Sequence, residues 1–75
     1  MEIEPHELRM ITELAELTEK IKSLEIFVSS HNGHFVGICE EDKRLLKAQL
    51  NYMKGYRDML QNRVVKVLKR IGEHL

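Results

Sequence analysis

The chain is poor in the residues that usually mark a built chemical site or a stapled scaffold. Its 75 residues include one cysteine, one proline, no tryptophan and four aromatics, Phe27, Phe35, Tyr52 and Tyr56. The lone Cys39 cannot found a disulfide framework and fits a reducing cytosol. No apolar run approaches the ~20 residues that span a bilayer, so no membrane association is expected. The opening MEIEPHEL carries acids where a signal peptide carries basic residues. No glycine-rich phosphate loop, nucleophile–base signature or paired-carboxylate motif is present, so no catalytic residues and no enzyme are expected. His31, His34 and Cys39 are the only cluster with ligand-like spacing. They surround a glycine turn and lack a fourth ligand, so neither a metal nor a cofactor is expected.

What is present is helical patterning. Pro5 suits a first helical position, where its fixed φ and missing N–H cost nothing. Glu7 then lies in a first turn, near the positive end of the helix dipole. Leu8, Ile11, Leu14, Ala15, Leu17, Ile21, Leu24, Phe27 and Val28 follow at helical spacing. The predicted first helix runs over about 5–30, and His31-Asn32-Gly33 reads as its stop. The connector, about 31–40, is apolar at Phe35, Val36 and Ile38, which suits a segment that folds over the hairpin or reaches a neighbour. Glu40, Glu41 and Asp42 open a second helix over about 41–71, with Gly72 as its end. Its apolar seam is Leu46, Leu50, Met53, Leu60, Val64, Val67 and Ile71. The expected fold is all-α, one domain over 1–75: an antiparallel hairpin of two long helices. At this size, ordering costs roughly 1.5 kcal/mol per residue and nearly cancels apolar burial. Homo-oligomerisation is therefore expected to complete the core.

Charge is balanced overall but not along the chain. Residues 1–41 hold nine Glu against Arg9, Lys20 and Lys22, and residues 42–75 hold nine Lys/Arg against three acids. An acidic helix and a basic helix can pair across a hairpin, and the basic helix can also face an anion with another of its sides. The basic residues are spread around the helix and the total charge is zero, which disfavours a DNA or RNA polymer as partner.

Within the second helix, Gln49, Tyr56, Arg63 and Arg70 recur every seven residues. A helix drifts about 20° per seven residues, so they form one nearly straight line beside the apolar seam. Tyr56 could be an edge aromatic and the arginines could cover apolar surface with their stems. Alternatively a partly dried Arg63 needs a carboxylate of the first helix or a ligand phosphate. Arg70 reads as a surface residue. Tyr52 and Gly55 share a face with Tyr56, Met59 and Arg63, which allows a flat ligand or another backbone to approach closely.

The run Gln49-x-x-x-Met53-x-x-Tyr56-x-x-x-Leu60-x-x-Arg63-Val64 resembles a family of small helical bacteriophage proteins. That family includes crAss-like phage proteins and the anti-CBASS cyclic-oligonucleotide sponges. The resemblance extends through Leu45-Leu46, Phe35 and the pattern around Lys20-Ile21-Lys22-Ser23-Leu24, covering roughly residues 14–64. It implies a homo-oligomer, with a hexamer favoured, that sequesters cyclic nucleotide immune signals in the cytoplasm of an infected bacterial host. By position it places Arg63 and Lys22 on phosphates, and the reading of the residues adds Tyr52 or Tyr56 for stacking and Gln49 for a hydrogen bond. One departure is the absence of any aromatic in residues 1–26, where the sponges stack a cyclic dinucleotide; a cyclic trinucleotide depends less on it. The alternative from the residues is a helical adaptor or inhibitor module that binds a protein partner through its wide apolar stripes.

Overall fold

The computed structural model describes residues 3–29 and 36–73. Among these it is all-helical, with two helices and no strand: α1, Pro5–Phe27, and α2, Glu40–Glu73. The proposed stop His31-Asn32-Gly33 and the connector residue Phe35 lie outside the described residues.

The entry to α1 follows its sequence signals. Glu4 has extended backbone, Pro5 takes the first helical position, and the Glu4 N–H donates to Glu7 Oε1 at 2.9 Å. Glu7 thereby caps an N–H that the helix itself cannot satisfy. The exit comes earlier than the expected residue 30. Val28 is the C-cap, and Ser29 folds back, donating through both Oγ (2.7 Å) and N–H (3.3 Å) to the Ile26 carbonyl. Such local serine bonds compete with the next helical rung.

Glu40, Glu41 and Asp42 occupy the first turn of α2, and the Lys43 N–H reaches the Cys39 carbonyl at 3.0 Å. At the far end Gly72 does not stop the helix, which continues to Glu73. No described glycine has positive φ, so Gly72 forms no left-handed cap. At ~1.5 Å per residue a helix of this length spans about 51 Å, and the molecule is a rod of 53 × 17 × 16 Å.

The helices pack along a seven-residue repeat. In α1 it comprises Glu7, Met10, Leu14, Leu17, Ile21 and Leu24; in α2, Leu46, Leu50, Met53, Arg57, Leu60, Val64, Val67 and Ile71. Met10, Leu60, Val64, Val67 and Ile71 form the buried cluster, flanked by Ile11, Leu14 and Leu17. Ile21 and Leu60 are the most completely enclosed side chains, each 1 % exposed. The cluster joins the first half of α1 to the last half of α2. Toward the connector Leu24, Phe27, Leu46 and Met53 are only half-buried.

Two ion pairs across the hairpin draw on the acidic–basic division. Arg70 Nη2 meets Glu7 Oε1 at 2.5 Å, and Lys54 Nζ meets Glu25 Oε2 at 2.9 Å. Arg70 is therefore more than a surface residue: it docks on a carboxylate whose side chain is only 12 % exposed. Glu7 stands at a seam position, and its burial is sustained by the guanidinium and the Glu4 N–H together.

Candidate functional site

The seven-residue line of α2 lies where the two helices meet solvent. At its centre the Tyr56 hydroxyl donates to Glu13 Oε1 of α1 at 2.5 Å. That bond fixes the phenol at the edge of the seam and leaves the residue 44 % exposed. The carboxylate raises the Tyr56 pKa above its usual 10, first by accepting the hydrogen bond and then, after a desolvation contribution, by its charge. Arg63, two turns along the line, acts on Tyr56 in the opposite direction, so its cation stands close enough to favour phenolate. Arg63 itself is exposed. The carboxylate partner that the sequence allowed for Arg63 is instead taken by Arg70, with Glu7, and by Tyr56, with Glu13.

Gln49 sits one repeat before Tyr56 and lines three adjoining grooves. Its amide makes one weak contact, Nε2 to Met53 Sδ at 4.0 Å. The first groove, about 590 Å³ and open to solvent, lies between the helices and is walled by Glu19, Lys20, Ser23, Leu24, Phe27, Gln49 and Met53. The second, about 510 Å³, runs along α2 over Leu45, Ala48, Gln49, Tyr52, Met53 and Tyr56 and is almost wholly apolar. The third, about 400 Å³, lies by the start of α2 among Phe27, Ile38, Asp42, Leu45, Leu46 and Gln49. Gln49 is the shared edge of an apolar surface large enough for a nucleobase-sized ring.

Of the residues singled out from the sequence, the fold gathers Gln49, Tyr52 and Tyr56 along one groove and sets Arg63 beside Tyr56. Tyr52 is 80 % exposed, so its ring is available to a partner. Lys22 is not brought to this place. It is exposed and shares a helix face with Glu25, three residues on, and Glu25 reaches Lys54 on the other flank of the hairpin. The cation of α1 that lines the groove is Lys20.

Sequence reading did not join Glu13, Lys20 and Phe27 into one line, yet they carried a signal. They recur every seven residues on α1, as Gln49, Tyr56 and Arg63 do on α2. Antiparallel packing sets the two lines side by side, with Glu13 against Tyr56, and Lys20 and Phe27 near Gln49. The resulting flank alternates cations, aromatic surface and an amide, with one carboxylate already committed to a phenol.

Among the described residues no group of three His, Cys, Asp or Glu side chains could hold a metal ion, and no helix is long and apolar enough to cross a membrane. His31 and His34 lie outside the described residues.

No curated protein and no solved structure matches the chain. A family model described as Sequestin matches residues 4–66, from the cap of α1 through Arg63 and most of α2. The protein is accordingly a member of the Sequestin family.

Proposed function

We propose that this protein is a phage-encoded anti-defence sponge of the anti-CBASS kind, acting in the cytoplasm of the infected host. It binds a cyclic nucleotide immune signal and holds it without cleaving it. The observation that carries the reading is the exposed line Gln49–Tyr56–Arg63 beside the apolar groove over Tyr52, in a chain of a family whose name describes sequestration.

The chemistry of each residue suits such a ligand. A cyclic oligonucleotide presents flat bases and a ring of phosphates. Tyr52 or Tyr56 offers a stacking face, worth ~1–3 kcal/mol per base. Arg63 offers a planar fork for phosphate, and Gln49 an amide that can both donate and accept. Lys22, on the opposite flank, reaches the same ligand only from another copy of the chain. That geometry fits a site completed by homo-oligomerisation, with a hexamer favoured. Lys20 stands in the groove for the cationic role within one chain. Sequestration of the signal then follows mass action: a sponge in excess lowers the free messenger below what its effector needs, and no bond in the messenger has to break.

Calorimetry against a panel of cyclic di- and trinucleotides tests the proposal. Binding of at least one member tighter than micromolar is expected, and its absence across the panel would remove this ligand class. Arg63→Ala should weaken that binding by about 1.5–3 kcal/mol, the usual value of a hydrogen bond to a charged group. An unchanged affinity would take Arg63 out of the site. Light scattering separates this reading from a helical adaptor: a closed oligomer is expected here, whereas an adaptor would be a small species that takes up a partner protein.

A further inference from the structure

The side of α2 turned away from α1 carries a second repeat that the hairpin does not use. Leu45, Tyr52 and Met59 recur every seven residues and are 51 %, 80 % and 64 % exposed. Between them, at the same period, stand Ala48, Gly55 and Asn62. Large and small residues therefore alternate at spacings of three and four, the pattern of a helix–helix seam. A Cβ built at Gly55 meets nothing within 4 Å, so no contact within the chain accounts for the missing side chain. A helical glycine costs about 1 kcal/mol relative to alanine, which makes an external contact the physical reason to look for.

We infer that this stripe is the contact between two copies of the chain, packed α2 against α2 in antiparallel orientation. The inference rests on the self-association proposed above and adds its surface, direction and register. Two properties of the stripe select a second copy as its occupant. The first is size complementarity with itself. Run antiparallel, the Tyr52 ring of one copy covers the bare backbone at Gly55 of the other, Met59 covers Ala48, and Leu45 lies against Asn62. Each large residue meets a small one, and every such contact occurs twice. The second is charge. The first turn of α2 is Glu40, Glu41 and Asp42, while its last turns carry Lys66, Lys69 and Arg70. Antiparallel pairing in this register sets Glu41 level with Lys66 at both ends, whereas parallel pairing would set acids against acids. From Leu45 to Lys66 the contact runs about 31 Å along the helix at 1.5 Å per residue. That is long enough for a contact of several helical turns.

The line beside this seam is then shared between copies. Tyr56 of each chain stands near the two-fold axis, level with Asn51 of the other, and Gln49 of one copy comes level with Asp58 of the other. Tyr52 is enclosed by the pairing, which leaves Tyr56 as the stacking surface.

Two variants test the inference by light scattering and analytical centrifugation of the full chain. Gly55→Gln installs a good helix former where the single chain has open space, so helicity by circular dichroism should hold or rise. Self-association should weaken at least ~10-fold, the effect expected of a change at a central, well-packed contact. Gly55→Ala, which keeps the approach close, should retain most of it. In a Cys39→Ser background, Ala48→Cys combined with Met59→Cys should give a covalent dimer on mild oxidation. The two positions are eleven residues apart on one helix, too far to join within a chain. A wild-type chain that stays monomeric would overturn the self-association reading and this inference together. A wild-type oligomer untouched by Gly55→Gln, or one in which the paired cysteines do not crosslink, would overturn this inference alone.

Discussion

The two ends of the hairpin are made from similar residues and behave differently. At the end holding the chain termini, Met10, Leu60, Val64, Val67 and Ile71 are buried together, and Glu7 joins Arg70 beside them. At the connector end Leu50 is buried, but its seam neighbours Leu24, Leu46 and Met53 remain half-open, as does Phe27 beside them, and all three grooves gather around Gln49. The difference shows that a seven-residue apolar repeat is a precondition for burial and does not achieve it alone. A single pair of helices encloses a seam only where neighbouring side chains close over it, and a two-helix rod has few neighbours to offer. The open end is accordingly the part of the molecule with surface to spare for a ligand or another subunit.

That contrast can be broken from the buried side first. Leu60→Ala removes a side chain that is 1 % exposed and should cost ~2–5 kcal/mol, enough to unfold a domain of this size. Leu24→Ala, at the open end, should cost less than half as much, because its side chain is already partly hydrated. Denaturant midpoints at matched protein concentration compare the two. Equal losses would mean that the grooves are closed in solution, as an oligomer would close them.

The ion pairs provide the next comparison. Arg70→Ala strands Glu7 at a mostly buried seam position and should cost about 1 kcal/mol. Lys54→Ala breaks a pair whose partners are 38 % and 46 % exposed, and should fall within ~0.5 kcal/mol of the parent. Urea titrations of the two variants, repeated at high salt, check both the order and the smaller salt sensitivity expected of the Arg70 pair.

The smallest effect is spectroscopic. In a Tyr52→Phe background the remaining phenol, Tyr56, should titrate above 10 by ultraviolet absorbance. Glu13→Gln should lower that value by removing the negative charge, and Arg63→Ala should raise it further. Because the folded pKa is the higher one, the Tyr56–Glu13 bond contributes fully below the unfolded phenol value near 10. Its contribution is lost as pH rises through the folded value. Neutral and mildly alkaline solutions leave it intact. A phenol unmoved by Glu13→Gln would show that the bond across the open flank is not formed in solution.

The sequence made α1 and α2 legible because periodic apolar positions and end signals such as Pro5 and Glu40-Glu41-Asp42 act locally. Less legible were the last residues of each helix: Ser29 turns back on Ile26 at the exit of α1, and Gly72 stays helical in α2. Both are contests between local bonds of nearly equal strength. The line Gln49–Tyr56–Arg63 could be read because a spacing of seven defines one face of any helix. Its partners could not, because they depend on how two helices slide past each other. Lys22 and Lys20 illustrate this: two residues apart, they lie on different flanks, and only the packing register showed that Lys20 faces the groove.

Composition and periodicity alone thus determined that this is a helical chain of two long amphipathic segments, acidic in the first and basic in the second. Those properties belong to single residues and short spacings. Tertiary structure decided which acid meets which base, that Arg70 and Tyr56 are held by α1 while Arg63 remains exposed, and that the apolar surface left over lies along α2 and at the connector end. Such outcomes follow from the relative register of two helices, a quantity that no single stretch of chain contains.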